Sequence, residues 1–210
     1  MKKTFLLAVL CLFLFINFSL LAQVPNALTC QLTPETEEAI IDRLVKNKKY
    51  LEEHANIRGT TTYVPVKIHL VGLDDSDSPV TKWQVLDMLC ILNDAYEDTE
   101  IQFYLKGEIN YINNTKIANH EGYDTPSGPI EIWNEANEYK AGDALNIYIT
   151  NNVGVTNGGG TTLSYYIQGQ DFEYDFIMIR RASMYGSNVL PHEVGHFFGL
   201  AHTFLGWEGA

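Results

Sequence analysis

Basic side chains are scarce in this chain. Fourteen Lys and Arg face 26 Asp and Glu, so the 210 residues carry a formal net charge of −12 at neutral pH. A surface of that sign repels phosphate backbones and anionic headgroups, which argues against nucleic acid and against stable membrane association. Cysteine is rarer still. Of Cys11, Cys30 and Cys90, the first lies in a leading apolar run, and the two others cannot make a disulfide framework. No methionine follows Met184, and the chain shows no internal repeat and no low-complexity tract.

One long hydrophobic run is present. Lys2 and Lys3 precede apolar residues from Phe5 to Leu21, interrupted by Asn17 and Ser19, and Ala22 offers a small residue for cleavage. This is the layout of an export signal, residues 1–22, and it places the mature chain in the extracellular space or periplasm. An uncleaved anchor is the competing reading of so long a run. Removing residues 1–22 takes away two lysines and no acid, which moves the net charge from −12 to −14.

The rest divides at a small polar break, Arg58-Gly59-Thr60-Thr61-Thr62. Before it, Thr33-Pro34 opens a helical pattern carried by Ile40, Ile41, Leu44, Val45 and Leu51, so residues 23–58 read as an appendage, a pro-segment. After it come a strand over Tyr63–Val71, a turn over Asp74–Ser78, and a helix from Pro79 to Tyr96. A strand over Ile101–Leu105 follows, expected to pair in parallel with the first. A short helix near Ile130–Tyr139, a strand over Leu145–Thr150, a polar β-prone run over Thr161–Ile167 and a strand over Phe176–Ile179 complete the pattern. Cys90, read with Leu86, Leu89 and Asn93, is expected to be a buried free thiol; a disulfide to Cys30 is the alternative. His69 is expected to be structural, and His54 and His120 to lie at the surface.

The residues that carry chemistry sit near the C-terminus: His192-Glu193-Val194-Gly195-His196-Phe197-Phe198-Gly199-Leu200-Ala201-His202. On a helix, His192 and His196 project from one face a turn apart, so both imidazoles can bind one metal ion. Glu193 points to the side of that pair, where it can take a proton rather than ligate. Gly199 can adopt the left-handed conformation that ends a helix and turns the chain back, bringing in His202. Leu190, Val194, Phe197, Phe198 and Ala201 form the opposite, apolar side. Ser187 or Asn188 is the candidate cap, with Pro191 tolerated in the first turn. Five fixed positions recur by chance in roughly 200 windows less than about once in ten thousand chains.

This run, extended through Thr203 and Phe204 and preceded by Leu190-Pro191, resembles the zinc motif of the pappalysin family of metzincin metallopeptidases. The resemblance implies an α/β (α+β) fold: a metzincin-like N-terminal subdomain with a mixed twisted sheet of about five strands, an antiparallel edge strand, a backing helix and an active-site helix. It implies Zn2+ held by His192, His196 and His202, Glu193 as general base toward a zinc-activated water, and hydrolysis of peptide or protein substrates. It further implies an edge strand, Thr161, Thr162, Leu163, Ser164 and Tyr165, that pairs with extended substrate. Upstream, Cys30 is a candidate latency ligand, since a thiolate can fill zinc's fourth position; its usual Arg and Gly neighbours are absent.

The chain also departs from the family after the motif. The methionine-containing turn expected after the third histidine is missing, so residues 59–210 read as the N-terminal part of a catalytic domain whose C-terminal subdomain is absent. The leading expectation is a secreted zinc endopeptidase. Two alternatives stand beside it: a catalytically inactive truncated zinc- or peptide-binding module, and a metal-dependent hydrolase of some non-peptide amide.

Overall fold

The computed structural model describes residues 61–154, 164–167, 173–186 and 188–202, together with residues 42, 45, 46 and 49, which are helical. The export signal, Cys30, His54, Ser187 and most of the expected pro-segment lie outside the described residues. Among the described residues, no helix is long and apolar enough to cross a membrane.

The elements run β1 (Thr62–Gly72), α1 (Lys82–Ala95), β2 (Ile101–Leu105), β3 (Asn110–Asn113), α2 (Thr115–Asn119), α3 (Gly128–Asn137), β4 (Leu145–Thr150), β5 (Ser164–Ile167), β6 (Phe176–Arg180) and α4 (Val189–Phe197). They build one six-stranded sheet of order β2-β1-β4-β6-β5, with β3 also beside β1. All pairs are parallel except β5 with β6, which is antiparallel. The mixed α/β fold with an antiparallel edge strand is therefore as expected, with one strand more.

The extra strand is β3. Its residues Asn110–Asn113 bury only Ile112, so no apolar run announces it. β1 is long enough to pair with β2 through its first half and with β3 through its last four residues. The helix α1 also starts later than Pro79 suggests. Thr81 is its cap: its side chain accepts from the Gln84 backbone, and the Gln84 side chain accepts from the Thr81 backbone, a capping box.

Each face of the sheet packs against helices. On one side Val66, Ile68 and Leu70 of β1, with Ile147 and Ile149, meet Val85, Met88, Leu89 and Leu92 of α1 and Leu190 and Val194 of α4. On the other, Tyr148, Tyr165, Phe176 and Met178 meet Ile117 and Ala118 of α2 and Ile132 and Ala136 of α3. Covered on both faces, β4 is buried along all six residues, as a central parallel strand should be. The face of α1 defined by Val85, Met88, Leu89 and Leu92 corrects the expectation for Cys90. That thiol lies on the opposite side of the helix, free and exposed.

His120 is a second correction. It caps α2 in the left-handed conformation at φ 54°, so its ring turns back under the sheet, 1% exposed, with Nε2 2.8 Å from the Tyr165 hydroxyl. His69 is structural as expected. It stacks on Tyr148 at 4.1 Å, with Nε2 3.0 Å from Asn146 Oδ1 and Nδ1 3.0 Å from Asn110 Nδ2. Asn110 Nδ2 can only donate, so Nδ1 must accept, and the ring is held neutral.

Burial lowers both pKa values from 6.5 to about 4, with the Asn146 hydrogen bond only partly opposing it at His69. The unfolded chain therefore binds protons that the folded chain refuses between these two values. Stability should be flat above pH 6.5 and fall as the pH drops toward 4, by up to about 3 kcal/mol per histidine. Urea unfolding followed across that range checks this; His69→Gln should be less stable at neutral pH and show a shallower pH dependence.

Candidate metal centre

The helix α4 has nine residues, too few to persist by its own hydrogen bonds. Packing holds it. Leu190 and Val194 are fully buried, each contributing on the order of 1.5–3 kcal/mol, and Phe197 and Phe198 pack against the same core. At its start Asn188 occupies the cap position without a side-chain cap bond. A fastening from another element takes its place: the Tyr96 hydroxyl, at the end of α1, donates to the Pro191 carbonyl at 3.0 Å. Burial pushes the Tyr96 phenol up to about 12, so it remains a donor at any working pH.

The end of the helix is closed by Gly199 at φ 87°. Gly199 N donates to the His196 carbonyl at 2.8 Å and Leu200 N to the Gly195 carbonyl at 2.9 Å, the paired bonds of a Schellman turn. This reversal carries His202 back toward the helix.

Three imidazoles converge there. His192 Nε2 lies 3.0 Å from His196 Nε2 and 3.3 Å from His202 Nε2, and the three residues form a cluster able to hold one ion. Nitrogens bound tetrahedrally at about 2.1 Å are separated by roughly 3.4 Å, so this spacing suits zinc. The His196 tautomer suits it too: Nδ1 donates to the Leu200 carbonyl at 2.6 Å, which leaves the Nε2 lone pair facing the other rings. Convergent lone pairs repel unless a cation lies among them. Burial, with the neighbouring imidazoles adding to it, lowers the His196 pKa to about 4, and burial with His202 lowers that of His192. Both rings thus stay neutral and able to ligate.

Glu193, next to His192 in the chain, is 1% exposed, and Ser164 Oγ donates to its Oε1 at 2.8 Å. Ser164 begins β5, at the edge of the sheet. Of the five residues expected to form the edge strand, Thr161, Thr162 and Leu163 lie outside the described residues, and Ser164 faces the site. Tyr165 does not. It points to the opposite face, toward His120, Trp133 and Met178. All four residues of β5 are buried. Two contacts escaped sequence reading, Ser164 to Glu193 and Tyr96 to Pro191. Alternation along β5 could have put Ser164 on the motif's side; nothing local marks Tyr96.

No protein-family model matches the chain. Over 157 residues, 70% of the chain, it is 29% identical to an extracellular metalloprotease of Neurospora crassa, and covers 52% of that protein. It thus spans about half the length of the curated relative it matches. In structure it superposes on a promirolysin variant from Tannerella forsythia with a TM-score of 0.52 at 18% identity, over 80% of this chain and 66% of that one. The likeness is one of fold: a twisted, mostly parallel sheet flanked by helices. Similarity to metalloproteinase-II from Bacteroides fragilis, with a TM-score of 0.42 at 12% identity over 70% of this chain and 46% of that one, is too loose to add to this.

Alanine at position 199 would have to adopt the left-handed conformation at a cost of about 1–2 kcal/mol. Gly199→Ala should therefore lower thermal stability and, by displacing His202, weaken zinc binding. Zinc titration should show one equivalent bound per wild-type chain, and an unchanged affinity in Gly199→Ala would separate the turn from the metal site.

Proposed function

We propose that this chain carries the zinc site of an exported metalloendopeptidase of the pappalysin type. The observation that bears most on the reading is the convergence of three imidazole nitrogens beside a buried, hydrogen-bonded glutamate. Support also comes from the resemblance to an extracellular metalloprotease. In this reading residues 1–22 are the export signal, 23–58 a pro-segment and 59–210 part of the catalytic domain.

The chain's own residues divide the work. His192, His196 and His202 hold the ion. Zinc supplies Lewis acidity, polarising a scissile carbonyl and acidifying water. Glu193, which follows His192 in the chain and accepts a hydrogen bond from Ser164, takes a proton from the attacking water and passes it to the leaving amine. The strand comprising Thr161, Thr162, Leu163, Ser164 and Tyr165 pairs with an extended peptide by strand addition. The side chains of β5 are buried on both faces of the sheet, so a peptide would pair through the strand's backbone edge. A removable pro-segment with Cys30 as latency ligand would hold the enzyme inactive, and Cys30→Ala should raise the activity of an intact precursor measured before any processing.

Incubation with unfolded protein substrates tests the reading. Cleavage should stop with a chelator and return with zinc, and Glu193→Ala should lower kcat by about 10²–10⁴-fold while retaining the metal. Zinc binding without any peptide cleavage would instead mark a binding module. Cleavage confined to non-peptide amides would point to a different hydrolase.

A further inference from the structure

We propose that Ser164 is a positioning residue for Glu193. It holds the carboxylate beside the three histidines and out of the metal's coordination sphere, and so ties the edge strand directly to the general base. The catalytic consequence rests on the peptidase reading above; the geometry does not.

The argument starts from what Glu193 would otherwise do. It follows His192 in sequence, and a carboxylate is itself a good zinc ligand. A carboxylate that ligates cannot act as a base. Glu193 is buried, so its oxygens need partners, and losing one costs more than an exposed hydrogen bond would. The Ser164 hydroxyl is such a partner at 2.8 Å, itself only 3% exposed. With that hydrogen bond removed, a cation held by the histidines competes for the freed oxygen.

The contact is built into how β5 meets α4. Ser164 and Tyr166, two residues apart on the strand, are separated by roughly 6.6 Å, and Glu193 and Phe197, four apart on the helix, by roughly 6.0 Å of rise. The spacings nearly match, so strand and helix touch at two rungs: Ser164 with Glu193, and Tyr166 edge-on to Phe197 at 6.1 Å. The Tyr166 hydroxyl donates to Asp175 Oδ1 at 2.6 Å, fixing the second rung. Between them Tyr165 points the other way, where its hydroxyl accepts from Trp133 Nε1 at 3.0 Å and lies 2.8 Å from His120 Nε2. Anchored on both faces, the strand cannot roll, and Ser164 Oγ is placed by the backbone of β5. A peptide pairing with that strand would therefore lie one hydrogen bond away from Glu193.

The test compares wild type, Ser164→Ala, Ser164→Thr, Glu193→Gln and the Ser164→Ala/Glu193→Gln double variant. Zinc affinity is measured by competition with a chelating dye, and the visible spectrum is recorded after cobalt substitution. Ser164→Ala should bind zinc about 10-fold more tightly and show weaker, shifted cobalt bands as Glu193 joins the metal, with kcat lowered about 10–100-fold and KM little changed. Ser164→Thr should restore both. In the Glu193→Gln background, Ser164→Ala should change neither affinity nor spectrum. The proposal is overturned if Ser164→Ala keeps the wild-type spectrum and affinity, or if its effects persist undiminished in the Glu193→Gln background. If the spectral coupling is found while wild type cleaves no peptide, Ser164 positions Glu193 as proposed and the peptidase reading is what fails.

Discussion

Three imidazoles converge, with His192 Nε2 3.0 Å from His196 Nε2 and 3.3 Å from His202 Nε2, and lone pairs brought so close repel until a cation neutralises them. Much of the fold around α4 can be understood as opposing that repulsion. Two of the rings come from successive turns of one short helix, which places them at no extra cost but leaves them on an element that cannot hold itself together. The third comes from beyond the helix and depends on Gly199 reversing the chain. The carbonyl of Leu200, released by that reversal, then orients His196. One turn thus delivers one imidazole and aligns another.

The helix is held by elements far away in sequence. Tyr96 secures its first turn from α1, the core beneath Leu190 and Val194 secures its length, and β5 contacts it at Glu193 and Phe197. The sheet transmits this order between its two faces. Tyr165 is locked among His120, Trp133 and Met178 on one side, while its neighbours Ser164 and Tyr166 grip the motif helix on the other. A strand with side chains alternating between faces can do this only when both are covered.

Much of the fold was legible locally. The strands β1, β2, β4 and β6 were readable because their apolar runs are flanked by turns, and the parallel pairing of β1 with β2 follows from the intervening helix. What escaped had a physical reason in each case. β3 buries one side chain of its four, so it carries almost no hydrophobic signal. Cys90 was placed on the wrong side of α1 because Leu86, which is only partly buried, shifted the apparent apolar face; Val85, Met88, Leu89 and Leu92 set the real one. His120 looked like a surface residue because its polar neighbours say nothing about a left-handed cap that folds the ring under the sheet.

The sequence by itself determined which residues could bind a metal and which could move a proton, because helical periodicity and one glycine position His192, Glu193, His196 and His202 relative to each other within eleven residues. Only the tertiary structure decided which hydroxyl steadies the glutamate and which phenol fastens the helix. Ser164 and Tyr96 lie 29 and 95 residues from their partners. Contacts over such separations leave no local periodicity: they exist only once the sheet and its two helical layers have packed.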